Sequence, residues 1–233
     1  MRGKAPDFHR VPNRADRPKP NSLCTIWVID LPPRISPFGD MDFSTRITRL
    51  PTAFEAERGV ETALLVPQAD GDLAKLLAGA GGCSPYIRSL VEKEADWLVS
   101  ALNDPEAAVA EQLTELHRSS VAKLSVALRQ AKRRVALITG LADLAGVWSL
   151  ETVTSILTAF ADVSCTRALR AGLEGELKRG KLPGVTEGDL ASGAGMVVLA
   201  MGKLGAGELN YSSDIDLICL LDETRFERDD YPE

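Results

Sequence analysis

Residues 202–217 read Gly202-Lys203-Leu204-Gly205-Ala206-Gly207-Glu208-Leu209-Asn210-Tyr211-Ser212-Ser213-Asp214-Ile215-Asp216-Leu217. The flanks decide what this string is. Before it stands a short continuous apolar run, Met196 to Met201, and Asp214 to Leu221 reads as a second. Continuous rather than alternating apolarity predicts two strands buried on both faces, joined by a glycine-rich loop over Gly202 to Ser213. Residues two apart on a strand share a face, so Asp214 and Asp216 project together and Ile215 and Leu217 project to the other side. Two carboxylates on one face repel and make poor core residues. A divalent cation resolves that repulsion, and hard oxygen donors on a rigid strand suit Mg²⁺, which bridges carboxylates and phosphate oxygens. Glycine lets the backbone approach a phosphate and donate N–H groups to it. Gly202 and Gly205 are therefore read as phosphate contacts. Lys203 adds a positive charge, and Ser213, with Ser212 beside it, adds a hydroxyl.

Competing motifs fail on detail. A P-loop needs Ser or Thr after Gly-Lys, and Leu204 stands there. A dinucleotide fingerprint needs a third glycine, but Glu208, Leu209 and Asn210 follow Gly207. An EF-hand loop counted from Asp214 would put Cys219 where glycine is required. A bare Asp-x-Asp is more often the start of a surface strand; the loop and the two apolar runs weigh against that here.

Before the first apolar run, residues 181–195 hold Pro183, Gly184, Gly188, Gly193 and Gly195 and form a glycine-rich linker. From about 50 to 180 the signals are helical. Ser84-Pro85 caps a helix carrying Ile87, Val91, Leu98 and Leu102 on one face, and Asn103-Asp104-Pro105 ends it and starts the next. Apolar residues continue at helical spacing, with one longer gap, from Glu106 to about Thr139. Gly140 and Gly146 bracket a short apolar linker. Ser149 caps a further helix over roughly 150–178. Lys132-Arg133-Arg134 reads as a solvated helix face, with an acidic partner as the alternative. Such Ala- and Leu-rich helices pack into a bundle. Residues 1–40 contain seven prolines among dense basic residues and read as a disordered tail. Met41 is taken as the natural start. The divisions are thus 1–40 tail, 41–180 helical domain, 181–195 linker and 196–233 the start of a catalytic domain.

The whole chain has 233 residues, 45% hydrophobic and 26% charged, with a net charge of −6. That suits a globular protein and argues against one that coats nucleic acid. Cys24, Cys83, Cys165 and Cys219 are too scattered for a zinc site or a disulfide framework, and reduced thiols point to the cytoplasm. No apolar run reaches the ~20 residues of a membrane helix.

Glycine followed about a dozen residues later by Asp-hydrophobic-Asp-hydrophobic resembles the nucleotidyltransferase superfamily that includes DNA polymerase beta. The longer string GKLGAGELNYSSDIDL resembles the bifunctional glutamine synthetase adenylyltransferase/adenylyl-removing enzymes, which have two catalytic halves. Asn210 and Ser212-Ser213 are closer to the N-terminal, adenylyl-removing half; the other half usually has Gly and Gly-Ser there. Ala131 to Leu137, continuing to Ala142-Asp143-Leu144-Ala145-Gly146-Val147-Trp148, resembles the helical segment before that family's catalytic core. The resemblance implies an α+β chain, a helical bundle followed by the first part of a polymerase-beta-like core. It implies removal of AMP from glutamine synthetase by phosphorolysis, with Mg²⁺ on Asp214 and Asp216. Partners implied are glutamine synthetase, a PII-type signalling protein, adenine nucleotide and phosphate, with no nucleic acid and no membrane. Two features depart from the pattern. Lys203 follows Gly202 where the superfamily has Ser. The third metal carboxylate of the family, on a later strand in an Arg-x-Asp-Leu-Arg-like context, has no counterpart at Asp222, Asp229 or Asp230, which predicts a truncated chain. The alternatives are a small-molecule nucleotidyltransferase and a non-catalytic fragment that docks glutamine synthetase or a PII-type protein through its helices.

Overall fold

A computed structural model describes residues 42–225; the tail over 1–40 and the last charged residues lie outside them. After a 3-10 turn, Phe43–Arg46, the helices run α1 Ala56–Leu64, α2 Gly71–Cys83, α3 Pro85–Ala101, α4 Pro105–Arg118, α5 Val121–Leu144 and α6 Leu150–Lys178. A further 3-10 segment, Glu187–Gly195, leads into β1 Met196–Ala200, the single turn α7 Gly202–Gly205, and β2 Leu217–Leu221. The chain is α+β, with helices dominating.

Three helix starts sit where the sequence puts them, for the same reason each time. A side-chain oxygen takes up a first-turn N–H: Ser84 Oγ from Ile87 (3.2 Å), Asp104 Oδ1 from Ala107 (2.8 Å) and Ser149 Oγ from Thr152 (3.3 Å). Two boundaries differ from expectation. The apolar spacing from Glu106 to Thr139 spans two helices, not one. Ser119 ends α4 by donating both its N–H (3.3 Å) and its hydroxyl (2.8 Å) to the Leu116 carbonyl, and the chain folds α5 back onto α4. Nor do Gly140 and Gly146 bracket a linker. Gly140 is buried inside α5 beside Ile87, and the helix runs on to Leu144. The turn belongs to Gly146, at φ +68°, where a Cβ would overlap the Thr48 hydroxyl.

α5 is the central helix, packed against α2, α3, α4 and α6. Its Leu137, Ile138 and Leu141 are fully buried with Leu76 and Leu77 of α2 and Val91 and Leu98 of α3. Leu116, Leu124 and Ala131 form a second cluster with Phe160 and Val163 of α6. Arg133 and Arg134 are not a solvated face. They clasp Glu94, 5% exposed, at 2.6 and 2.9 Å, and Arg134 also stacks over Trp97. α3 is kinked at Glu94 (φ −128°, ψ 18°). A buried carboxylate requires such partners.

β1 and β2 pair antiparallel, from Met196↔Leu221 to Ala200↔Leu217. Expected to be buried on both faces, the strands are not: β2 is exposed throughout, and only alternate residues of β1 are half-buried. A two-stranded antiparallel pair, with no further strand beside it among the described residues, leaves β2 open on both faces. The linker is anchored beneath it. Leu190 and Ala194 pack on Leu173 of α6, and Arg225 pairs with Asp189 at 3.0 Å.

Candidate functional site

The loop between the strands is held on the bundle by three contacts. Leu204 and Leu209 bury themselves with Ala161 against Leu157 of α6. The Leu209 N–H donates to Thr158 Oγ1 at 3.2 Å. The Tyr211 hydroxyl reaches α5, 3.2 Å from the Thr139 carbonyl and 3.3 Å from Asp143 Oδ2. Burial, and then the Asp143 carboxylate beside it, push the Tyr211 phenol far above its ordinary range, so it stays a donor.

Asp214 and Asp216 do not lie on the strand as expected: β2 begins at Leu217. The Met201 N–H donates to the Asp216 carbonyl at 2.9 Å, which carries the pairing one residue past the strand ends and sets Asp216 beside Gly202. A Cβ on Gly202 would sit 3.6 Å from Asp216 Oδ2. Both aspartates are exposed, and their carboxylates make no hydrogen bond or ion pair among the described residues. Strand alternation therefore does not fix their orientation; the Gly202 turn places Asp216.

That turn decides which N–H groups are available. Gly205 donates to the Met201 carbonyl (3.1 Å), Ala206 to Gly202 (3.1 Å), Gly207 to Leu204 (3.1 Å) and Glu208 to Lys203 (2.8 Å). The N–H groups of Gly202, Lys203 and Leu204 have no acceptor among the described residues, as at any helix start. Gly205 thus serves the turn; a Cβ there would overlap the Ala200 carbonyl. The Lys203 side chain is exposed and has no partner among the described residues. Ser213 gives its hydroxyl proton to Asn210 Oδ1 at 2.7 Å, and the same oxygen accepts the Ser212 N–H at 3.3 Å. Asn210 shapes the approach to Asp214, a role the sequence signals only as an Asn two residues before Ser. Tyr211 as the clamp to α5 had no signal in the sequence.

Asp214 and Asp216 suit a hard divalent cation: two exposed carboxylates with no protein counter-charge, beside a backbone that leaves room. They supply part of such a shell. Among the described residues no group of three or more His, Cys, Asp or Glu is placed to hold a metal, and Asp222 is engaged by the N–H and hydroxyl of Thr224.

Residues 74–230 match the family model described as glutamate-ammonia ligase adenylyltransferase. The chain belongs to this family. The matched residues of this adenylyltransferase family member run from α2 through the loop and both aspartates. Among curated relatives, the bifunctional glutamine synthetase adenylyltransferase/adenylyl-removing enzyme of Bradyrhizobium sp. (strain BTAi1) is 41% identical over 174 residues, 72% of this chain and 18% of its own length. The enzyme of the same name from Xanthobacter autotrophicus (strain Py2) is 34% identical over 226 residues, 92% of this chain and 21% of its own, a match that extends into the first 41 residues. That of Caulobacter vibrioides (strain CB 15) is 36% identical over 173 residues, 69% of this chain and 16% of its own. The chain spans about a fifth of the length of these relatives. No solved structure gives a significant match. No helix among the described residues is long and apolar enough to cross a membrane.

Proposed function

We propose that this chain forms the front of the adenylyl-removing half of a bifunctional glutamine synthetase adenylyltransferase/adenylyl-removing enzyme. The observation that carries the reading is the pair of exposed, unpartnered carboxylates, Asp214 and Asp216, beside the Gly202 turn in a member of this family. Asn210 and Ser212-Ser213 favour the removing half over the transferring half, whose activity is assigned to a separate C-terminal half of the longer enzyme. In the reaction an oxygen of inorganic phosphate bonds to the adenylyl phosphorus as the bond to the tyrosyl oxygen of glutamine synthetase breaks, releasing ADP. Asp214 and Asp216 would hold Mg²⁺, which when bound neutralises charge on the phosphates. The free N–H groups of Gly202, Lys203 and Leu204 donate to phosphate oxygens, and the Lys203 ammonium adds charge. Ser212 and Ser213 accept a place here through Asn210, which fixes the chain before the aspartates. Glutamine synthetase and a PII-type protein are the proposed partners, the latter through the helices, in the cytoplasm.

The full-length enzyme, given adenylylated glutamine synthetase, phosphate and Mg²⁺, is expected to form ADP. Asp214→Asn with Asp216→Asn should lower that rate by about a thousand-fold while far-UV circular dichroism is unchanged. Undiminished ADP formation removes the assignment. A second reading is a non-catalytic segment that docks glutamine synthetase through its helices, which dominate the described residues. It predicts Mg²⁺-independent binding of glutamine synthetase and no turnover. Activity on free small acceptors without glutamine synthetase would instead point to a small-molecule nucleotidyltransferase.

A further inference from the structure

The corner where α4 gives way to α5 carries charge that the catalytic reading does not use. An open cavity of about 540 Å³ lies between this corner and the outer half of α6. Arg118, Arg167, Arg170 and Lys178 line it against one carboxylate, Glu174, which Arg170 already engages at 3.2 Å. This concentration of positive charge stands out in a chain whose net charge is −6.

Arg167 is the informative residue. It is 7% exposed, and a guanidinium does not lose its proton. It donates from Nη2 to the Ser119 carbonyl, but its Nε has no hydrogen-bond partner, and it forms no ion pair with a carboxylate among the described residues. A buried charge without a counter-ion is costly, and an anion in the cavity would offset that cost. The second feature is independent of the first. α5 has 24 residues, and its Ser120 N-cap makes no side-chain cap bond. The N–H groups of Ser120, Val121 and Ala122 therefore have no acceptor among the described residues, at the positive end of a long helix. α4 ends at the same corner, where its Leu116 carbonyl is taken by Ser119 and its last turn carries Arg118.

We propose that the α4–α5 corner is a binding site for a phosphate group of a small molecule. Arg167 and the first-turn N–H groups of α5 are the inner donors, with Arg118 and Lys178 as outer charges. A multiply charged oxyanion matches a convergent set of N–H donors with several cations around it. The site is distinct from the Asp214–Asp216 centre. The catalytic loop sits on α6 at Leu157 and Ala161, and Arg167 lies six residues, about 9 Å, further along the axis.

The test is an amide NMR titration of the 233-residue chain with inorganic phosphate, and separately with ADP, at constant ionic strength against chloride. Saturable shifts at Ser120 to Lys123 are expected, retained in the Asp214→Asn/Asp216→Asn chain. Arg167→Gln should weaken them by about ten-fold or more. Should that variant fail to fold, Arg118→Gln with Lys178→Gln, at the cavity rim, carries the same test and is expected to weaken binding several-fold. Saturation by phosphate alone identifies free phosphate as the ligand; saturation by ADP only identifies a nucleotide phosphate. Shifts that chloride reproduces, that do not saturate with either probe, or that survive these substitutions unchanged would overturn the proposal.

Discussion

A methyl group at position 205 would overlap the Ala200 carbonyl, because the turn after β1 lies directly on the strand end. Gly205→Ala is expected to lower stability by about 1–3 kcal/mol, read as a fall in denaturant midpoint, with the largest chemical-shift changes at residues 200–216. A neutral result would mean that the turn is not seated this way. Tyr211 makes the opposite kind of contribution, by reaching out. Its phenol pKa is raised in the folded state, so the folded chain holds that proton when the unfolded chain gives it up. The stability this contributes is present below the ordinary value of 10.0 and is lost as pH rises past it. The difference in stability between the parent chain and Tyr211→Phe should therefore be about 1 kcal/mol or less at neutral pH and shrink above pH 10. Chemical denaturation of both proteins across that range checks it; a difference that grows with pH contradicts the clamp.

Among the elements, α3 and α5 are joined by the most consequential polar contact. Glu94 stands at a kink and is held by Arg133 and Arg134, and Arg134 in turn reaches Gln112 of α4 at 3.3 Å. Removing the carboxylate leaves two partly exposed guanidinium groups without their shared partner. Glu94→Ala is expected to cost about 1–3 kcal/mol, measured by urea denaturation, and no measurable loss would show the cluster to be ornamental. The sequence could not reveal this pairing, because Glu94 and its partners are 39 and 40 residues apart and each sits in a run of ordinary helical charges. Helix starts were legible because the capping side chain and the N–H it satisfies are three residues apart: Ser84, Asp104 and Ser149 act locally. The break at Ser119-Ser120 was hidden because both flanking helices keep their apolar residues in compatible spacing. Gly140 misled for a related reason: a glycine packed inside a helix looks the same in sequence as one that ends it. The α1–α2 pair went unread, since α2 approaches α1 through Gly81 against Thr62, a contact between distant residues.

At the scale of the molecule, the helices work as a platform. α6 supplies the apolar seat for Leu204 and Leu209, α5 supplies the acceptors for Tyr211, and the two aspartates follow from that placement. The candidate site residues were legible in the loop string, because Asp214, Asp216 and the glycines are contiguous. Their geometry was not legible, because it depends on Met201 pairing with Asp216 and on contacts with helices some 50 to 70 residues earlier. Cation binding by these two carboxylates can be tested on this chain alone. The most direct measurement is paramagnetic broadening of the chain's amide spectrum by Mn²⁺, used as a probe for Mg²⁺. Selective broadening is expected at Gly202 to Leu204 and Ser213 to Leu217, relieved by excess Mg²⁺ and absent in the Asp214→Asn/Asp216→Asn chain. Uniform broadening, or broadening that the double substitution leaves in place, would contradict a cation site on these two carboxylates.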